Sequence, residues 1–176
     1  MSKKKPLVLS KSASPEKLIL SVIEKLQTQL PGVIVDTFED YGAVKLCKDA
    51  SCQVLAEIEH VHSAGVMGDG RFEQIVDVAL NCLINKSTPK AQLKVSSLAS
   101  TVLMVVENNC WGLDWVGWPE NLDSLPSVFD PNDDGFVHFV VTFSQSIYRG
   151  NNLIDDPVVK KLEFEIRHED GHFWNS

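Results

Sequence analysis

The sequence contains no uninterrupted apolar run near the roughly 20 residues that cross a bilayer, so no membrane-spanning helix is expected. It also lacks a G-x-S-x-G elbow, a G-x-x-x-x-G-K-[ST] phosphate loop and a G-x-G-x-x-G fingerprint. These absences remove the local signatures of serine hydrolases, nucleoside triphosphate sites and dinucleotide sites. Basic charge is scarce. Against 24 acidic residues stand 16 Lys and Arg, and the formal charge of −8 repels phosphate, which argues against a protein that holds DNA by neutralising it. Met1 to Ser14 has no continuous apolar segment of the secretory kind, so the cytoplasm is the expected place of assembly. The four cysteines, at 47, 52, 82 and 110, have no regular spacing and are expected as reduced thiols.

The 176 residues are 44% hydrophobic, enough to bury the core of one domain without covalent staples. Residues 1–13, with Lys3-Lys4-Lys5, read as a flexible basic tail; 14–150 as one domain; and 151–176 as a charged extension in which Leu162, Phe164 and Ile166 alternate with acids.

Ser14-Pro15-Glu16 is a helix start, with an acceptor at the cap, proline at the first position and acid near the positive dipole end. Ile19, Val22, Ile23, Leu26 and Leu30 then form one apolar stripe, which Pro31-Gly32 stops before a strand at Val33 to Phe38. Val54, Ala56 and Ile58 alternate with Leu55, Glu57 and Glu59 in a second strand. His62 to Gly70, with three glycines, reads as a flexible loop leading into a long strand from Arg71 to Ile84, so the two strands make an extended hairpin. Ser87-Thr88-Pro89 opens a second helix with Val95, Leu98, Ala99, Val102, Val105 and Val106 as its stripe, ended by Asn108-Asn109. Trp111 to Asp134, with three tryptophans and three prolines, reads as an ordered but irregular excursion. Phe136 to Ile147 alternates cleanly and is expected as a central strand closed by Gly150. The sum is an α+β fold: a mixed, mostly antiparallel sheet of about four to five strands, with two helices packed on one face.

Few stretches hint at chemistry. Asp130 to Gly135 (DPNDDG) matches the opening of an EF-hand, but the twelfth loop position is Val141 within a strand, so a turn is expected in place of a calcium site. His60 and His62 share one side of a strand end, with Cys47 and Cys52 upstream, but the spacing is looser than the paired ligands of structural zinc sites. His168 and His172 lack a third ligand in view and read as solvated. The expectation is therefore no catalytic residue, no cofactor and no metal.

Several segments carry a resemblance: LILSVIEKLQTQLPGVIVDTF, the strand VLAEIE, the long strand after a glycine loop, the helix before CWG, and the closing FVVTFSQSI. Together, over residues 14–150, they resemble the tail-terminator (tail-completion) family of long-tailed bacteriophages, in its Mu-like branch. The resemblance implies a structural virion protein, assembled in the host cytoplasm and located at the tail neck. Six copies would form a ring on the head-proximal end of the tail tube, halting its polymerisation and docking head-completion or neck proteins. Its partners would be itself, the tail-tube or sheath protein and a neck protein, with DNA passing through the lumen unbound and no membrane involved. A ring needs two unlike complementary patches on each subunit. The candidates are His62, Gly65, Met67, Gly68, Gly70 and Arg71 in the glycine loop, and Trp111, Trp115 and Trp118. Packing within the chain is the alternative for both. Two other readings stay open: a metal-dependent hydrolytic enzyme using His60, His62 and the acids among 130–134, or a monomeric protein-binding module.

Overall fold

The computed structural model describes residues 13–38, 52–127 and 135–154. Residues 1–12 of the basic tail, the acids at 130–134, Cys47, the alternating stretch at 162–166, and His168 and His172 lie outside them, whereas Ala13, counted with the tail, is described and buried.

Helix α1 spans Pro15–Gln29 and starts at the expected cap, where the Lys17 amide donates to Ser14 Oγ at 3.2 Å. Leu18, Ile19, Val22, Ile23 and Leu26 are its buried side. Gly32, at φ +83°, takes the left-handed turn that ends the segment and swings the chain into strand β1, Ile34–Thr37. Strands β2 (Cys52–Val66) and β3 (Phe72–Asn85) form the long hairpin. Helix α2 (Ala91–Glu107) follows, then β4 (Val116–Pro126) and β5 (Phe136–Arg149).

The sheet order is β1-β2-β3-β5-β4, with β1 parallel to β2 and every other pairing antiparallel. The α+β architecture, with five strands and two helices, therefore holds as expected. One core fills the space between helices and sheet. It takes the α1 stripe, Ala91, Val95, Ala99, Val102 and Val106 of α2, Val76 to Ile84 at every second position of β3, and Val141, Phe143 and Ile147 of β5. On the opposite face Leu55 and Leu83, flanked by Phe38 and Phe136, form a small second cluster among the described residues.

Helix α2 begins two residues later than its Pro89 suggests. Lys90 sits at φ +60°, outside helical space, and Ser87 is tied back to Asn85 Oδ1 through both its amide and its hydroxyl. No side chain caps the helix, and its valines are poor helix formers, so burial of the stripe holds it.

Two expectations need correction. The segment after Trp111 is not wholly irregular, because Val116–Pro126 is the edge strand β4. Register shifts between Val116 and Pro119 and between Glu120 and Asp123, with Asn121 at φ +53°, break its two-residue period. An outer edge tolerates Pro119 and Pro126 because their missing N–H groups are needed by no further strand among the described residues. The glycine loop is also shorter than expected: β2 runs on to Val66, taking His62 and Gly65 with it, and only 67–71 turn. A second shift, between Ser63 and Gly65, absorbs the glycine as a bulge.

Candidate functional site

The hairpin of β2 and β3 outgrows the body that supports it. Strand β1 pairs only with Gln53 to Ala56, so beyond Ala56 the outer edge of β2 has no strand neighbour among the described residues. Ile58, Val61, Val66, Met67 and Phe72 are exposed along this arm. The tip is nevertheless ordered by its own chemistry. The Met67 amide donates to the Arg71 carbonyl at 2.8 Å, the Gly70 amide to the Met67 carbonyl, and Asp69 accepts from both the amide and the guanidinium of Arg71. The side-chain hydrogen bond from Arg71 holds the Asp69 carboxyl below its ordinary range. Arg71 in turn lies 4.9 Å from the centre of the Tyr148 ring, and Gly70 packs so closely on Leu153 that a Cβ there would force the leucine side chain to shift.

At the other edge of the sheet, β4 exposes Trp118 (66%) and Leu125 (53%). The three tryptophans separate here. Trp111 is buried and cannot serve a partner: its indole N–H donates to Gln145 Oε1 at 2.7 Å, and its ring lies 6.2 Å from that of Phe143. That corrects its place among the interface candidates. Trp115 is half-buried against the core, and Trp118 alone offers its face to solvent. Gln145, buried between Phe143 and Ile147 on the core face of β5, completes this polar centre by donating to the carbonyls of Asn109 and Gly117 at 3.1 and 2.8 Å. The amide joins α2's exit, β4 and β5.

His60 and His62 come together with a residue the sequence reading missed. Ile58 pairs with Val78, yet His60 pairs with Asp77, one residue short of the regular register. This bulge turns His60 and His62 to the open face, where Asp77 also points. Their Nδ1 atoms stand 3.9 and 3.7 Å from Asp77 Oδ2, and the two rings are 5.2 Å apart. The other carboxylate oxygen, Asp77 Oδ1, accepts from Ser144 Oγ at 2.7 Å, and Ser144 receives Asn121 Nδ2 at 3.3 Å. No linear motif carries this group, because its members meet only through register.

The acids at 130–134 lie outside the described residues, but their flanks are β4 and β5, not the two helices an EF-hand requires. Burial pushes the Cys82 thiol up to about 12 and raises that of Cys110, which suits both to packing and neither to nucleophilic attack. Two depressions lie among the described residues, one near the arm, lined by Ser63, Phe72, Glu73, Gln74 and Arg149, the other between the ends of α1 and α2. Neither lining includes a histidine or a cysteine. No protein-family model and no curated protein matches the chain.

Proposed function

We propose that this chain is a structural assembly protein that closes into a ring, as a tail terminator at the neck of a long-tailed phage. It acts by shape, and its partners are copies of itself, the tail tube and a head-proximal neck protein. The observation that carries the reading is that the sheet presents two unlike edges. One is the β2–β3 arm, with a strand edge that no described strand covers and exposed Val61, Val66 and Phe72; the other is the bulged, proline-bearing β4 with Trp118 and Leu125. Such edges suit a head-to-tail contact, which generates a ring when its rotation closes. Self-association would also cover the edge and the apolar side chains that a lone subunit leaves exposed. The net charge of −8 fits a conduit that DNA traverses without adhering.

The test is assembly of the tail-tube subunit of the same particle with and without this chain, followed by electron microscopy. The reading predicts rings on one end of each tube and an arrest of elongation. Tubes of unchanged length with bare ends reject it.

A further inference from the structure

We infer that His60, His62 and Asp77 form a binding site for a divalent first-row transition ion of the zinc type, with water completing the coordination. The site does not depend on the assembly reading. Three independent features support it.

The first is donor chemistry. Two imidazoles and one carboxylate select zinc and its neighbours over calcium or magnesium, which prefer all-oxygen shells. The donor atoms of all three residues lie within 4.8 Å of one another. Two ligands bound to zinc at about 2.0–2.1 Å stand about 3.3 Å apart at the tetrahedral angle. The separations of 3.9 and 3.7 Å therefore need to close by about half an ångström, and a donor pair at the 4.8 Å limit by about 1.5 Å. Both imidazoles are exposed enough to make that adjustment by side-chain rotation, with their side chains 69% and 43% accessible.

The second is orientation. Asp77 uses Oδ1 to accept the Ser144 hydroxyl, which leaves Oδ2 directed at the two histidines. A ligating carboxylate held in place by a neighbour's hydrogen bond is the usual support of a protein metal site. Of the two acids in this region of β2, Glu57 is already engaged by Asn81 Nδ2 at 2.9 Å, and Glu59 is the exposed extra residue of the bulge just before His60.

The third is the bulge between Ile58 and His60. In regular register both histidines would face the helix side and Asp77 the open side. The extra residue brings all three onto one face, the kind of re-aiming for which bulges recur beside functional sites. Three protein ligands on an open sheet face leave room for at least one water or outside ligand, so the bound ion would cross-link β2 and β3 at the root of the arm.

The experiment uses the full chain without a histidine tag, titrated with zinc chloride by calorimetry and with Co²⁺ by its visible absorption band. One saturable equivalent is expected. His60→Ala and His62→Ala should each weaken binding at least about tenfold, and Ser144→Ala, which removes only the positioning hydroxyl, about tenfold. Asp77→Asn should weaken binding as well, and His60→Ala, which alters an exposed side chain, remains informative if that variant fails to fold. Millimolar magnesium should not displace the ion. The proposal is overturned if the wild-type chain takes up no zinc, if the His60→Ala/His62→Ala double variant binds it equally well, or if magnesium competes.

Discussion

Replacing Gln145 by Leu keeps the buried volume nearly constant while deleting the amide that joins α2's exit to β4 and β5. Three hydrogen bonds disappear: the one accepted from Trp111 Nε1 at 2.7 Å and those donated to the Asn109 and Gly117 carbonyls. The Gly117 carbonyl retains Cys110 Sγ at 3.5 Å, so its loss is small. The indole N–H and the Asn109 carbonyl are left unpaired in a region where Gln145 is only 1% exposed and Trp111 only 7%. At about 1–3 kcal/mol for each of the two stranded groups, the variant should lose about 2–6 kcal/mol. That is a large share of the roughly 5–15 kcal/mol that holds a domain together. For a chain of this size it corresponds to a fall in Tm of about 4–24 °C. Urea unfolding followed by tryptophan fluorescence and far-ultraviolet dichroism measures it. Adding Trp111→Phe removes the stranded donor, so the double variant should lose less than the sum of the singles, with a coupling above about 1 kcal/mol. A loss below about 1 kcal/mol, or strict additivity, refutes the assignment of this centre as a stability hub.

At the tip, Gly70 has φ +85° and a Cβ there would lie 2.5 Å from Leu153 Cδ1, whereas Gly68 has open space around it. Gly70→Ala should therefore cost about 1–3 kcal/mol, while Gly68→Ala stays within about 0.5 kcal/mol; equal melting temperatures contradict the tip geometry. The Asp69 carboxyl, held down by Arg71, should titrate below 3.8 in a carbon-detected NMR experiment, and Arg71→Ala should return it to the ordinary range. Because the folded value is the lower one, this contact steadies the tip above the ordinary carboxylate range and is lost as pH falls through the depressed midpoint. A midpoint at or above 3.8 in the intact chain rejects the clamp.

Where local signals and packing agree, the sequence is a good guide to this fold. Ser14 and Pro15 mark α1 because capping is a local interaction, and the alternation of β3 and β5 follows from a sheet with one helix-covered face. Strand β4 is hidden because its prolines and two register shifts erase the period that identifies a strand, and only its place at the sheet edge makes them tolerable. The glycines after His62 look like a mobile loop, yet Gly65 lies at a bulge within β2. Trp111 has the same local composition as Trp118; what buries one and exposes the other is Gln145, 34 residues away. Asp77 could not have been grouped with the histidines by spacing. A regular hairpin would have put it on the opposite face, and only the bulge at Ile58 and His60 reverses that.

The proposed ring rests on a head-to-tail contact between two unlike edges, and mass measurement on edge variants tests it directly. Val66 and Trp118 are both strongly exposed, one on the arm and the other on β4, so a lysine at either should leave the fold intact while blocking one edge. Light scattering should find rings for the wild-type chain at high concentration or on tube ends, and monomers for Val66→Lys and Trp118→Lys alone. An equimolar mixture of the two variants should stop at a dimer, because each retains the edge the other lacks. Self-association of either variant alone, or a mixture that remains monomeric while the wild-type chain assembles, contradicts the claim.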